Sequence, residues 1–150
     1  MASKRPINHS IVIESTLSAI GEMYKQVLSK LEANSFSQED IFAVHLALEE
    51  AFLNAVRHGN KMDAGKEVKI DYSVGSDKVE ISMTDDGNGF DPEVVPDPRS
   101  GQNLYKTEGR GLLLMRSYMD VVEFSERGNR VRMVRYKERP RLTKSVQQTQ

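Results

Sequence analysis

The sequence predicts an α+β domain of two layers, in which a mixed, mainly antiparallel sheet carries helices on one face. Its 150 residues are enough for one domain with a sizeable core. Hydrophobic periodicity gives the element order β-α-α-β-β-loop-α-β-β. The strands also follow one another in hairpin-like pairs, which is typical of antiparallel pairing. These three observations together favour a two-layer α/β sandwich.

The composition excludes several classes of function. The chain is 29% charged with a net charge of −1, so no overall field draws it to nucleic acid or an anionic membrane. It has no cysteine, which excludes disulfides, thiolate catalysis and cysteine-ligated zinc. No apolar run approaches the roughly 20 residues that span a bilayer, and no secretory signal is evident. We therefore expect a cytoplasmic protein with no direct nucleic-acid or membrane partner.

A strand and a helix are predicted at the start of the domain. Residues 7–14 are rich in β-branched apolar side chains and indicate a strand. Ser15 or Thr16 is a candidate cap for a helix that runs to about Ala33, because apolar residues then recur at helical spacing.

A second helix is predicted from a capping motif. Residues 37–40 resemble a capping box, with Asp40 in place of the usual glutamate. The helix is expected to run to about His58, where Gly59 ends it in the left-handed conformation.

The remaining elements follow from alternation, turns and apolar runs. They are strands at 68–72 and 79–83, an irregular segment at 85–108, a helix at 111–120, and strands at 121–125 and 131–136 around Gly128 and Asn129. The expected organisation is a flexible start at 1–5, one domain at 6–138 and a disordered tail at 139–150.

The second helix carries the first candidate site, within the stretch LEEAFLNAVRHGN at residues 48–60. Glu50 and Asn54 are four residues apart, which places them on one helix face. A carboxylate and a carboxamide in that arrangement can hold a divalent metal beside a phosphate chain. Taken alone, the pair is more often simply solvated.

A glycine-containing turn after a strand is the second candidate. Asp85, Gly87 and Gly89 form the pattern D-x-G-x-G. The carboxylate can accept a hydrogen bond from an exocyclic amine such as that of adenine, while the glycines let a flat ring lie against backbone. An ordinary tight turn is the alternative.

The third candidate lies where the irregular segment meets the last helix. Gly109, Arg110 and Gly111 open that helix, and backbone N–H groups at a helix start favour anions. Lys106 and Arg99 are further cations that could meet phosphate oxygens, although a simple loop-to-helix hinge gives the same pattern.

The three motifs together resemble a known nucleotide-binding fold. The segments ALEEAFLNAVRHGN, MTDDGNGFDP and EGRGLLLMRSYMD are similar to those of gyrase, the ninety-kilodalton heat-shock chaperone, histidine kinases and mismatch-repair ATPases, which share the Bergerat ATP-binding fold. Within that superfamily the chain most resembles the anti-sigma-factor serine/threonine-protein kinases of bacteria. The resemblance covers about Ile7 to Tyr136.

The resemblance implies ATP and Mg²⁺ as cofactors and assigns roles to the first two motifs. Asn54 matches the residue whose side-chain oxygen binds the Mg²⁺ that bridges the ATP phosphates, and so contributes to both metal and nucleotide binding. Glu50 matches the catalytic general base, which takes the proton from a partner's serine hydroxyl. Asp85 matches the carboxylate that reads adenine, and Gly87 and Gly89 match the glycines beneath the base.

The third motif matches the phosphate side of the same site. Gly109 and Gly111 match phosphate-binding glycines, Arg110 lies between them, and Lys106 stands where such kinases often have an arginine. A second departure lies at residues 128–131, where the family often has a Thr or Ser after the turn and where the hydroxyl is here either absent or replaced by Asn129. These departures make the rate of phosphate transfer an open question.

The resemblance also implies partners. They are an anti-sigma-factor antagonist, phosphorylated on serine, a sigma factor exchanged for it in partner switching, and a second copy of the chain in a homodimer. One alternative is a nucleotide-gated binding module with little or no kinase activity. Another is a fragment of a histidine kinase, although no phosphoacceptor segment precedes the second helix.

Overall fold

The computed structural model describes residues 6–87 and 107–137, with side chains of the last helix described from Gly111 onward. Within these residues the chain forms three α-helices and five strands. In order they are β1 (Asn8–Glu14), α1 (Ile20–Ala33), α2 (Gln38–Asn54), β2 (Glu67–Val74), β3 (Lys78–Asp85), α3 (Thr107–Tyr118), β4 (Val121–Phe124) and β5 (Arg130–Tyr136).

The strands form one sheet in the order β1-β2-β3-β5-β4. All four pairings are antiparallel, so over the described residues the sheet is antiparallel throughout and not mixed. The β2–β3 and β4–β5 hairpins predicted from the turn residues are both present. β5 inserts between β3 and β4, which places the β4–β5 turn beside the end of β3.

One face of the sheet packs against the helices, which confirms the two-layer α+β architecture. The register aligns Ile11, Ile70, Met83 and Val131 in a row across the inner face. All four are buried in the core cluster, as alternation in a strand with one covered face requires. α2 lies between α1 and α3 and supplies several fully buried side chains, Phe52 among them.

The start of α2 differs from the predicted capping box in one respect. Ser37 caps the helix, and its Oγ accepts the Asp40 N–H at 3.0 Å. The Asp40 carboxylate is instead buried and accepts Nε of Arg135 at 2.8 Å. Arg135 also donates to the Tyr118 carbonyl at 2.6 Å, so the pair ties α2, β5 and the end of α3 together. No local pattern indicates a contact between residues so far apart in sequence.

The end of α2 also departs from expectation. The helix widens into a π-helical turn over Ala55–Gly59, closed by the Asn60 N–H donating to the Ala55 carbonyl at 2.8 Å. The prediction that Gly59 ends the helix in the left-handed conformation is wrong, because the positive φ angles fall on Lys61 and Met62. Such π-turns are frequent at functional sites.

The boundaries of the other two helices shift by a few residues. α1 is preceded by a short 3₁₀ turn at Leu17–Ala19, and neither Ser15 nor Thr16 caps α1 through its side chain. α3 begins at Thr107, four residues before the predicted start, so the predicted opening glycines lie inside its first turns. The flexible segments predicted at 1–5 and 139–150 fall outside the described residues.

The outer face of the sheet is polar. Arg132 bridges two carboxylates, with Nε 2.7 Å from Glu80 and Nη1 2.9 Å from Glu123. Ion pairs this exposed contribute little to stability. In the described part of the chain no helix is long and apolar enough to cross a membrane.

Candidate active site

A cleft opens between α2, the end of β3, α3 and the β4–β5 turn. The space not filled by atoms is about 300 Å³ when the part open to solvent is counted, and only about 20 Å³ of it can hold the centre of a water molecule. Its walls include Asn54, Met83, Asp85, Met115 and Asn129. Two of the residues predicted from separate sequence motifs, Asn54 and Asp85, therefore lie on one cleft.

Asp85 is the last residue of β3 and is only 8% exposed. Its backbone N–H donates to the Asn129 carbonyl at 2.9 Å, and its Oδ1 accepts the Gly87 N–H at 2.8 Å. Burial raises the pKa of the Asp85 carboxyl, the Gly87 N–H opposes this shift, and the neighbouring Asp86 adds to it. The carboxylate is thus fixed in place and can accept a further hydrogen bond from an amine within the cleft.

Two glycines allow this arrangement. A Cβ atom on Gly59 would overlap the carboxylate of Asp85, and a Cβ on Gly87 would overlap the carbonyl oxygen of Gly59. Any larger residue at either position would push apart the turn after α2 and the turn after β3. Gly87 was predicted as a site residue, whereas the need for Gly59 arises only from this tertiary contact.

Asn60 is a buried residue that the sequence analysis did not single out. It is 0% exposed, and its carboxamide bonds to Ser15, Glu67 and the backbone N–H of Asp86. An asparagine after a helix end is common in turns, so only the hydrogen bonds across the fold distinguish it.

Asn54 ends α2 and is half-buried at the cleft wall. Over residues 6–87 and 111–137, no group of three or more His, Cys, Asp or Glu side chains could hold a metal ion. Magnesium in nucleotide sites often takes one or two protein ligands and completes its shell with phosphate oxygens and water. The single carboxamide of Asn54 fits that kind of site, in which the nucleotide supplies most of the ligands.

Glu50 lies one turn before Asn54 and faces α3. A Cβ atom on Gly111 would lie 2.6 Å from Oε1 of Glu50, so the glycine lets the helix approach this carboxylate closely. Burial raises the pKa of the Glu50 carboxyl, with a further contribution from Glu49, while Arg57 acts in the opposite direction. A raised pKa brings a carboxylate closer to the range in which a general base works best.

The start of α3 holds the remaining predicted residues. Gly109 and Arg110 lie in its first turn, where the first four N–H groups have no partner within the helix. Gly111 lies against Glu50, a contact that the phosphate-binding role implied by the resemblance does not include. Gly89 and Lys106, and the side chain of Arg110, fall outside the described residues.

Asn129, which lies in the segment that departs from the family pattern, is part of the cleft wall. Its backbone carbonyl accepts the Asp85 N–H, and its Oδ1 accepts Oγ of Ser125 at 3.2 Å. The carboxamide is therefore held by its own β-turn through Ser125.

Comparison with known proteins identifies the family of this fold. Residues 13–135 match the histidine kinase-like ATPase domain, which is nearly the whole described fold. The chain belongs to this family. Among curated relatives, the serine-protein kinase RsbW of Bacillus licheniformis is 33% identical over 117 residues, which is 71% of each chain. The serine-protein kinase RsbW of Listeria monocytogenes serovar 1/2a is 32% identical over 108 residues, 67% of this chain and 69% of the relative. The resemblance inferred from the three motifs is confirmed.

A solved structure supports the same fold for this ATPase-family domain. The crystal structure of the RsbU and RsbW domains of Rv1364c from Mycobacterium tuberculosis superposes with a TM-score of 0.60 at 16% identity. The match covers 88% of this chain and 32% of that longer one. At this identity the likeness concerns the fold alone.

Proposed function

We propose that this protein binds ATP with Mg²⁺ and transfers the terminal phosphate to a serine of a small antagonist protein. The observation that carries the proposal is the cleft that Asn54 and Asp85 share, with Glu50 one helical turn away from Asn54. The family match and the names of the relatives support the same reaction.

Asp85 and Asn54, which both line the cleft, have distinct chemical tasks. The Asp85 carboxylate accepts a hydrogen bond from the 6-amine of adenine, which guanine lacks, so it selects the base. Asn54 holds the metal, and Mg²⁺, when bound, neutralises charge on the phosphate oxygens. The first N–H groups of α3, those of Gly109 and Arg110 among them, have no partner within the helix and favour the phosphate chain through the helix dipole.

Glu50 acts on the acceptor in this proposal. Its carboxylate takes the proton from the serine hydroxyl as the phosphate is transferred, a role that contributes about 10²- to 10⁴-fold to the rate. Gly89 and Lys106, proposed from the sequence for the base and the phosphates, complete the assignment.

The regulatory part of the proposal is partner switching, in which a homodimer binds a sigma factor and releases it when the unphosphorylated antagonist binds.

Nucleotide binding is tested first by thermal unfolding of the full chain with ATP, ADP or GTP, each with and without Mg²⁺. A ligand at about 100-fold its Kd stabilises the native state by about 2.7 kcal/mol, which raises the melting temperature by several degrees. We expect stabilisation by ATP and ADP with Mg²⁺ and little by GTP. Asn54→Ala should lose the Mg²⁺-dependent part, whereas the exposed Asn8→Ala serves as the matched control. Absence of any ATP effect on the wild type would refute the proposal.

Phosphate transfer is tested separately with γ-labelled ATP and candidate antagonist proteins. Glu50→Gln should reduce transfer by at least about 10²-fold while ATP affinity is retained. The exposed Glu32→Gln removes a carboxylate from α1 and should leave transfer unchanged. Tight Mg-ATP binding without transfer to any antagonist would instead favour the nucleotide-gated binding module, which the position of Asn129 at the cleft wall also permits.

A further inference from the structure

Asn60 connects three separate parts of the chain through one buried carboxamide. Its Nδ2 donates to Oγ of Ser15 at 2.9 Å and to the Glu67 carbonyl at 3.0 Å. Its Oδ1 accepts the backbone N–H of Asp86 at 2.8 Å. The three partners lie just after β1, at the start of β2 and just after β3. Both donor hydrogens and one acceptor site of the side chain are therefore used away from water.

The Asp86 contact fixes the turn that carries Asp85. The side chain of Asp86 reinforces it, because its Oδ2 accepts the Glu67 N–H at 3.0 Å. On the other side, the residue preceding Asn60 is Gly59, whose Cα lies directly against the Asp85 carboxylate. The turn at Gly59 and Asn60 therefore acts on Asp85 in two ways. Asn60 fixes the backbone directly after Asp85, and Gly59 packs against its carboxylate.

We propose that Asn60 is the positioning residue for Asp85, which it holds in the orientation that distinguishes a 6-aminopurine from other purines. This inference rests on the proposed function, in which Asp85 accepts the adenine amine. Asn60 itself touches no nucleotide in this assignment. It acts through the Asp86 N–H and through the placement of Gly59, so its loss should affect selectivity for the amine more than binding of the phosphates.

The test compares ATP with a purine nucleoside triphosphate in which the 6-amine is replaced by hydrogen. Affinities for both are measured by calorimetry with Mg²⁺ on the full chain. The variants are Asn60→Ala, which removes all three hydrogen bonds, and Ser15→Ala, which removes one and leaves Asp86 paired. Val27→Ala is the control, because it trims a fully buried side chain of α1 that does not line the cleft.

The wild type should prefer ATP by about 10-fold or more, as expected for a hydrogen bond to a charged acceptor. Asn60→Ala should reduce this preference to about threefold or less, and Ser15→Ala should give an intermediate value. Val27→Ala should lower stability but keep the wild-type preference, since a general loss of stability affects both ligands equally. If Asn60→Ala does not fold, Ser15→Ala alone decides, and an unchanged preference then overturns the proposal.

Three results would contradict the assignment, and each identifies a different error. A folded Asn60→Ala variant with the wild-type preference would show that Asn60 only stabilises the fold. Equal affinity of the wild type for both triphosphates would show that Asp85 does not read the amine, while leaving nucleotide binding intact. Failure of the wild type to bind either triphosphate would refute the proposed function itself, and the role of Asn60 with it.

Discussion

Replacing Gly111 by alanine should impair phosphate transfer while leaving ATP binding largely unchanged. The added Cβ would lie 2.6 Å from Oε1 of Glu50, whereas ordinary contact begins at 3.4 Å. The carboxylate must therefore move by about 0.8 Å, the difference between these distances. Because a misplacement of about 1 Å can cost about 10²-fold in rate, we expect the turnover number to fall about 10- to 100-fold.

The substitution should not unfold the protein. The atom that Cβ would meet is the end of a flexible side chain, which can rotate away. Alanine is also favoured over glycine within a helix by about 0.8–1.0 kcal/mol, and Gly111 is the fifth residue of the twelve in α3. Gly21→Ala in α1 is the matched control, since nothing lies within 4 Å of its Cβ position. That variant should keep full activity.

The assay measures transfer from γ-labelled ATP to whichever candidate antagonist the wild type phosphorylates, or phosphate release if only ATP hydrolysis is found, together with ATP affinity by calorimetry. Adding Gly111→Ala to Glu50→Gln should cause little further loss, because both substitutions disable the same carboxylate. Transfer by Gly111→Ala within about threefold of the wild-type rate would show that the Glu50 position is not critical. If Gly111→Ala instead lowered the ATP affinity as much as the rate, Gly111 would have the phosphate-binding role that the resemblance implies.

Two further predictions concern buried charges. The raised pKa of Asp85 means that the native state retains a proton at pH values where the unfolded carboxyl, with a pKa of about 3.9, has released it. We therefore expect the free energy of unfolding of the wild type, relative to that of Asp85→Asn, to fall as the pH rises through this window. Urea unfolding of both proteins measures this difference, and a difference that is constant with pH would contradict the reasoning. Arg135→Met should cost about 3–5 kcal/mol by leaving Asp40 buried without its partner, whereas Asp40→Leu with Arg135→Met should recover most of the loss. Additive losses in the double variant, measured by urea unfolding, would contradict the coupling.

The parts of the candidate site that could be predicted are those with a recognisable local sequence pattern. The four-residue spacing of Glu50 and Asn54 fixes their shared helix face in any helix. Asp85 could be identified because a strand followed by Asp and Gly is a recognisable turn. The meeting of Asn54 and Asp85 on one cleft follows from no local rule, and the resemblance supplied that expectation before the structure placed both at the cleft wall.

The sequence by itself determined the fold class, the hairpins and the identity of most elements, because periodicity and turn residues act over a few neighbouring positions. Only the tertiary structure explains why residue 59 is glycine, why Asn60 is buried, and which residue the Asp40 carboxylate binds. Each of these involves at least one partner 26 or more positions away, namely Asp85 for Gly59, Asp86 for Asn60, and Arg135 for Asp40 at a separation of 95. Such contacts depend on how the elements pack in three dimensions, and no short window of sequence records that packing.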